Sequence, residues 1–350
     1  MMTTHRIINA NSKNMKNLKD KSVQLIVTSP PYPMIEMWDE MFFKQDIAIK
    51  SAFINTEYMY AFELMHKTLN QTWNECDRVL MDNGFICINI GDATRTFDDK
   101  FQLFSNHTKI IEFFVGKGYS LLPDILWRKQ TNSPNKFMGS GMYPAGAYVT
   151  YEHEYILVFR KGGKRTFKGE TKLLRQQSAY FWEERNLWFS DIWDIKGTSQ
   201  NVSKKISSRT RSGSFPIDIP QRLINMYSIK GDTVLDPFCG FGTLNIACML
   251  TQRNSIGFEL DADIYREAVL SLNAIKTNDL NKLIENRLKS HEEFIGTLPK
   301  DKLKMCYKNK CHCFLVKTRQ ETGIKIERLS NIESIKDAVL CSYAAIPPVS

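Results

Sequence analysis

Along this chain, short β-branched apolar runs take turns with stretches whose apolar residues fall at helical spacing, the pattern of strands alternating with covering helices. The first run, SVQLIV, closes on Ser29-Pro30-Pro31, so the segment TSPPY from Thr28 to Tyr32 is expected at the C-terminal end of a strand. From about Thr56 to Val79, apolar side chains recur at Tyr60, Leu64, Leu69 and Trp73. That spacing predicts a helix that ends near Asn83-Gly84 and hands over to the buried-strand run FICINI. Helix then strand is the crossover unit of a parallel sheet. A helix over Thr108 to Val115 leads through Gly116 and Gly118 to the strand-like DILWRKQ, and EYILVFRK, from Glu154 to Lys161, reads as a further strand. These two are expected to finish the sheet.

From Gly162 to Ser214 the periodicity fades and charge rises, which predicts an inserted, less regular subdomain, opened by Gly162-Gly163 and closed by Arg211-Ser212-Gly213-Ser214. FPIDIPQRLINMY then resumes helical spacing through Ile219, Leu223 and Tyr227, with Pro220 tolerable only in a first turn. TVLD reads as a strand, Leu244 to Leu250 as a helix, and SIGFEL as a strand. A helix opening at Asp261 carries Ile264, Ala268, Leu272 and Ile275 on one face. Beyond Gly296 the pattern weakens, leaving CFLVKT and GIKIERL as candidate strands. The division expected is 1–161, a basic insert 162–214, a second core segment 215–296, and a C-terminal extension 297–350 with no assigned role.

At 350 residues, 43% hydrophobic and 24% charged, the chain is long enough for one large α/β core with an inserted subdomain. The N-terminal stretch lacks the apolar run of a signal peptide, and no run of about 18 apolar residues follows, so a soluble, cytoplasmic protein with no membrane partner is expected. Eight cysteines, mostly within hydrophobic stretches, suit buried thiols in a reducing compartment. Cys306, Cys311 and Cys313, grouped about His312, lack the paired Cys-x-x-Cys spacing of a zinc site, and no metal is expected. The net charge of +9 is unevenly placed: between Arg160 and Arg211, 13 Lys and Arg stand against 5 acids, interleaved with Tyr180, Phe181, Trp182, Trp188, Phe189 and Trp193. Such a block suits a surface that neutralises phosphates and stacks on bases. It equally describes a solvated basic face over a small aromatic core.

Two motifs carry the chemistry. DPFCGFGT, Asp236 to Thr243, joins a strand to a helix through two glycines, and Glu259 follows at the end of the next strand. Backbone amides and a helix start can there approach a nucleotide-like ligand, with a carboxylate placed to accept ribose hydroxyls. A lone Gly-x-Gly says little, but strand, loop, helix, strand and carboxylate in register say more. Ser-Pro-Pro-Tyr on its own also describes a rigid loop. Its weight comes from following a strand in a chain that carries the glycine loop.

Together the motifs resemble those of the amino-methylating DNA methyltransferases, whose catalytic tetrapeptide reads (Ser, Asp or Asn)-Pro-Pro-(Tyr, Phe or Trp) and whose cofactor loop reads Asp-Pro-Phe-x-Gly-x-Gly-Thr. The likeness runs from Ile7 to about Ala274 and includes WNECDRVLMDNGFICINIGD and HEYILVFRK. The catalytic half precedes the recognition segment and the cofactor half comes last, which resembles the permuted β order of that family. The resemblance implies a Rossmann-like S-adenosylmethionine-dependent methyltransferase fold with an inserted DNA-recognition subdomain. It implies S-adenosyl-L-methionine as cofactor, held by Phe215, Pro216, Asp236, Pro237, Phe238, Gly240, Gly242, Thr243 and Glu259. Asp236 would lie near the amino-acid part of that cofactor, with Phe238 packed beside it and Phe215 and Pro216 lining the same pocket. The absent third glycine and the preceding Asp-Pro-Phe set the loop apart from nicotinamide sites.

The tetrapeptide Ser29, Pro30, Pro31 and Tyr32 would then act on an exocyclic amine whose lone pair is delocalised into its ring. Acceptors aimed at the amino hydrogens hold the nitrogen towards tetrahedral geometry and stabilise the charge that develops. Ser29 can supply a hydroxyl oxygen and Pro30 a carbonyl, the prolines add no competing donor, and Tyr32 can stack on an extruded base. In the family, Ser at the first position goes mostly with the 4-amino group of cytosine and Asp with the 6-amino group of adenine. The expectation is a cytosine-N4 enzyme acting on double-stranded DNA in a restriction-modification system, with adenine as the alternative and a non-catalytic DNA-binding protein as the second. Attack through carbon 5 would need a nucleophilic cysteine, usually in a Pro-Cys dipeptide, and no cysteine here follows a proline. A glutamine-amide or RNA-base enzyme would carry Asn-Pro-Pro-Tyr, against Ser29 and the basic insert. Asp92 in INIGD is expected to face the cleft, with a helix or turn cap as its alternative role. Pairing with a restriction endonuclease and a homodimer both stay open.

Overall fold

The structure is a computed structural model that describes residues 1–129, 138–197 and 215–346. The expected closing boundary at Arg211 to Ser214, and the cations Lys204, Lys205, Arg209 and Arg211, lie outside the described residues.

Among the described residues, ten strands form the main sheet: β1 Met2–Asn9, β2 Val23–Thr28, β3 Leu80–Ile90, β4 Ile125–Arg128, β5 His153–Arg160, β6 Ile192–Asp194, β7 Thr233–Asp236, β8 Asn254–Glu259, β9 Glu327–Ile335 and β10 Ala338–Ala345, with the two-residue Ser120–Leu121 beside β5. Their spatial order is β6-β4-β5-β3-β2-β7-β8-β1-β10-β9. The five central strands, β3-β2-β7-β8-β1, are all parallel. Towards one edge β5 runs antiparallel to β3, and towards the other β10 runs antiparallel to β1. Alternate residues of each central strand serve opposite faces. Ile26, Ile86, Ile88 and Leu235 meet a core built on the helices Tyr58–Val79 and Asn106–Gly116. Leu25, Val27, Cys87 and Val234 meet the helices Asp218–Tyr227 and Thr243–Thr251. Two covered faces are why these strands read as unbroken apolar runs, and the sheet is doubly wound as expected.

The neighbours β2 and β7 are joined by Leu25↔Val234 and Ile26↔Leu235. Chain order reverses there, and open α/β sheets bind ligands beyond the strand ends at such a point. The register thus brings Ser29 and Asp236, more than two hundred residues apart, to one edge of the sheet.

Three features depart from the sequence reading. Strand β1 escaped it because its buried positions Thr3 and His5 are polar. They are satisfied sideways, Thr3 Oγ1 to His5 Nε2 at 2.8 Å and His5 Nδ1 to Ser255 Oγ at 2.8 Å, and burial pulls the His5 imidazole down to about 3, so it is neutral. Second, the C-terminal strands lie mostly beyond the runs that suggested them and extend the main sheet, where Tyr343 Oη meets Thr3 Oγ1 at 2.9 Å and donates to the Met249 carbonyl at 2.8 Å. Third, the segment after Gly162 is more regular than expected: it holds helices Gly169–Gln177 and Trp182–Trp188, and β6 joins the edge of the main sheet. Elements of nine, seven and three residues are too short for periodicity to show. This segment leans on the helix Thr277–Gly296, through Arg287 to Glu184 at 2.6 and 2.9 Å and Phe181 stacked on His291 at 3.7 Å. No helix among the described residues is long and apolar enough to cross a membrane.

Candidate active site

At the end of β2, Thr28 and the two prolines are buried and Ser29 is half-exposed. The Ser29 hydroxyl lies 3.0 Å from Tyr32 Oη. Tyr32 in turn donates to Glu154 Oε2 at 2.9 Å and accepts from Asn89 Nδ2 at 2.8 Å. Asn89 also donates to Glu154 Oε2 at 2.6 Å, and Lys129 closes the cluster with an ion pair to Glu154 Oε1. The pairing Ile156↔Asn89 sets Asn89 and Glu154 as diagonal neighbours on one face. Burial and the Glu154 carboxylate push the Tyr32 phenol well above its ordinary value, so it stays protonated. A Cβ at Gly91 would stand 3.0 Å from Tyr32 Cε2 and 3.3 Å from Glu154 Cγ, so only glycine leaves this ring its place.

One strand over, Asp236 ends β7 fully enclosed. Its Oδ1 accepts from Thr28 Oγ1 at 2.6 Å and from the Phe238 amide at 3.0 Å. The first of these bonds ties the end of β2 to the glycine loop. Burial pushes the Asp236 carboxyl up to about 7. Gly240 and Gly242 hold left-handed backbone, φ +53° and +80°, just before the helix at Thr243. At Gly240 a Cβ would meet nothing within 4 Å, whereas at Gly242 it would press on Ile7 and Leu272 at 3.3 Å. Glu259, at the end of β8, accepts from the amides of Gly240 at 2.9 Å and Asp261 at 2.8 Å. Phe238 packs edge-on against the enclosed Trp73 of the helix Tyr58–Val79, 5.6 Å between ring centres.

A cleft of about 1350 Å³ opens over these strand ends. Of the residues singled out in the sequence, Ser29, Pro31, Phe215, Asp236, Pro237, Phe238, Gly240, Thr243 and Glu259 line it. Pro30, Tyr32, Pro216 and Gly242 neighbour these residues in the chain and are not among those that line it. Asp92 is a correction: it caps the helix Asn106–Gly116, accepting from the His107 amide at 3.0 Å and meeting His107 Nδ1 at 2.8 Å, and it does not line the cleft.

A profile of the N6/N4 family described as DNA methylase matches residues 23–270. The chain belongs to this DNA methylase family. It is 48% identical over 340 residues to the Type II methyltransferase M.MthZI of Methanothermobacter thermautotrophicus, covering 96% of this chain and 94% of that one. To the Type II methyltransferase M.MjaI of Methanocaldococcus jannaschii it is 50% identical over 273 residues, 75% and 89% of the two chains. Among solved structures it is similar to a putative DNA modification methylase of Thermus thermophilus complexed with S-adenosyl-L-methionine, with TM-score 0.58, 28% identity and 75% and 92% coverage. The PvuII DNA methyltransferase, described as cytosine-N4-specific, shares the fold with TM-score 0.55 at 15% identity, over 82% and 93% of the chains. This DNA methylase is therefore an S-adenosylmethionine-dependent DNA methyltransferase.

The cleft of the methylase suits that cofactor. Each Glu259 oxygen takes one amide and keeps a lone pair for a hydroxyl, Phe215 and Phe238 offer apolar walls, and the missing Cβ of Gly240 leaves open space beside the loop. Sequence reasoning missed Asn89, Lys129 and Glu154. Asn89 and Glu154 lie within FICINI and HEYILVFRK, and a polar residue inside an otherwise buried strand run was the available signal.

Proposed function

We propose that this methylase transfers a methyl group to the 4-amino group of cytosine in duplex DNA, with the target base turned out of the helix, and that it serves a Type II restriction-modification pair. The observation that carries the choice of base is a hydroxyl, not a carboxylate, on Ser29 at the head of the clamp. Cytosine's amino group is the more readily alkylated of the two, so a neutral acceptor suffices for it. Bound S-adenosyl-L-methionine supplies the activated methyl group. Asp236, Phe238, Phe215 and Glu259 hold and orient it, and the glycine loop lets the backbone come close. Ser29 and the Pro30 carbonyl accept the two amino hydrogens and draw the lone pair out of the ring, while Tyr32 supports the extruded base. Stacking of about 1–3 kcal/mol per base is comparable with the few kcal/mol needed to extrude it. The likeness to M.MthZI and M.MjaI, both Type II methyltransferases, supports the restriction-modification setting.

Incubating DNA with methyl-labelled S-adenosylmethionine, digesting it and separating the nucleosides tests the proposal. Label is expected in N4-methylcytosine. Label in N6-methyladenine would move the target to adenine, and label in RNA or protein would overturn the substrate class. Extrusion has its own test: a mismatch at the target base is expected to tighten binding, because less pairing must be broken.

A further inference from the structure

A serine hydroxyl can donate or accept, and only an accepting Ser29 can draw out an amine's lone pair. We propose that Glu154 is a positioning residue that sets this polarity, making Ser29 an acceptor for the target amino group. The inference rests on the clamp reading above, whichever base is methylated.

Donors and acceptors decide the direction. Glu154 is buried and ion-paired with Lys129, so it offers its neighbours acceptor oxygens only. Tyr32 therefore gives its one proton to Glu154 Oε2, 2.9 Å away. Its oxygen is left with two lone pairs, one taken by Asn89 Nδ2 at 2.8 Å. The other faces Ser29 Oγ at 3.0 Å, and with the Tyr32 proton already committed the bond can only run from Ser29 to Tyr32. Asn89 reinforces the order, since its amide nitrogen is donor-only and spends its two hydrogens on the near acceptors Glu154 at 2.6 Å and Tyr32 at 2.8 Å, with Ser29 farther off at 3.4 Å. The single Ser29 proton is thereby committed to Tyr32, and a lone pair of its oxygen is left for an amino hydrogen in the cleft that Ser29 lines. A neutral residue is thus given the acceptor behaviour of a carboxylate by a real carboxylate two hydrogen bonds away.

Glu154→Gln removes the one-way bias, because an amide nitrogen facing Tyr32 would reverse the chain. Its kcat is expected to fall about 100-fold, the scale for losing one preorganised hydrogen-bonding group, with S-adenosylmethionine affinity and thermal midpoint kept. Tyr32→Phe keeps the ring but cuts the chain, and its loss should match. In the Tyr32→Phe background, Glu154→Gln should cost less than about threefold more, since coupled groups are not additive. Full additivity, an unimpaired Tyr32→Phe, or a Glu154→Gln loss that tracks the thermal midpoint would overturn the proposal. Ser29→Ala separates it from the clamp reading. If Ser29→Ala retains kcat, the clamp fails; if Ser29→Ala is inactive while Glu154→Gln is normal, only the positioning role fails.

Discussion

At the scale of single residues, Asp236 shows a fold giving up stability to keep a charge available. Its carboxyl titrates at about 7 in the folded chain against 3.8 when exposed. Between those values the folded chain holds a proton that the unfolded chain has lost, so stability falls as pH rises through that window, and above about 7 the full cost of the buried charge remains. Asp236→Asn keeps an acceptor oxygen for Thr28 and Phe238 and never ionises. It is expected to raise the stability of the cofactor-free protein by roughly 1–3 kcal/mol at pH 8 and by much less at pH 5, while weakening S-adenosylmethionine binding. Denaturant unfolding at the two pH values and calorimetric titration check both halves, and equal gains at both pH values would refute the account. Gly91→Ala acts in the opposite place: the new methyl must displace Tyr32 or Glu154, so kcat is expected to fall by about 10- to 100-fold, with cofactor affinity unchanged in the same titration.

At the scale of elements, the central strands and the two chemical loops were legible because hydrophobic burial and glycine geometry leave a strong local imprint. TSPPY follows β2, and DPFCGFGT joins β7 to its helix, as the patterns required. What stayed hidden depends on partners far away in the chain. Thr3 and His5 read as polar surface until Ser255 and Tyr343 are placed beside them, and Glu154 reads as a strand-edge charge until Tyr32 and Asn89 meet it. Asp92 misled for a similar reason, since a strand-end carboxylate can serve a cleft or a helix and only the neighbouring His107 decides. The C-terminal hairpin invites a direct check. Tyr343→Phe removes bonds to Thr3 and to the Met249 carbonyl and leaves the latter without that partner, so a loss of about 1–3 kcal/mol is expected, read from urea unfolding. A value near zero would mean that the hairpin is not joined to β1 in this way.

At the scale of the whole molecule, the described part of the basic segment divides into cations with structural duties and exposed cations without an ion-pair partner. Arg165 is tied to Asp232 and Lys161 to Asp77, whereas Lys164, Lys168 and Lys172 are exposed and have no ion-pair partner among the described residues. Its aromatics divide likewise, Phe181, Trp188 and Trp193 being buried and Trp182 and Phe189 exposed, so a small aromatic core lies beneath part of the segment. If this surface meets phosphates, DNA affinity must fall steeply with salt, by roughly 0.9 log units per log unit for each phosphate neutralised. Lys168→Glu with Lys172→Glu is expected to flatten that slope and weaken DNA binding while leaving S-adenosylmethionine binding intact. An unchanged slope in fluorescence titrations from low to physiological salt would place the interface elsewhere. The sheet itself imposes a timetable. Of its strands β1 is the first to leave the ribosome, yet the two partners of β1, β8 and β10, are the last parallel strand and the last strand of the sheet to be synthesised. At about 5–20 residues per second the newborn chain waits tens of seconds with that strand unpaired until β8 emerges, and the sheet is complete only once β10 has followed.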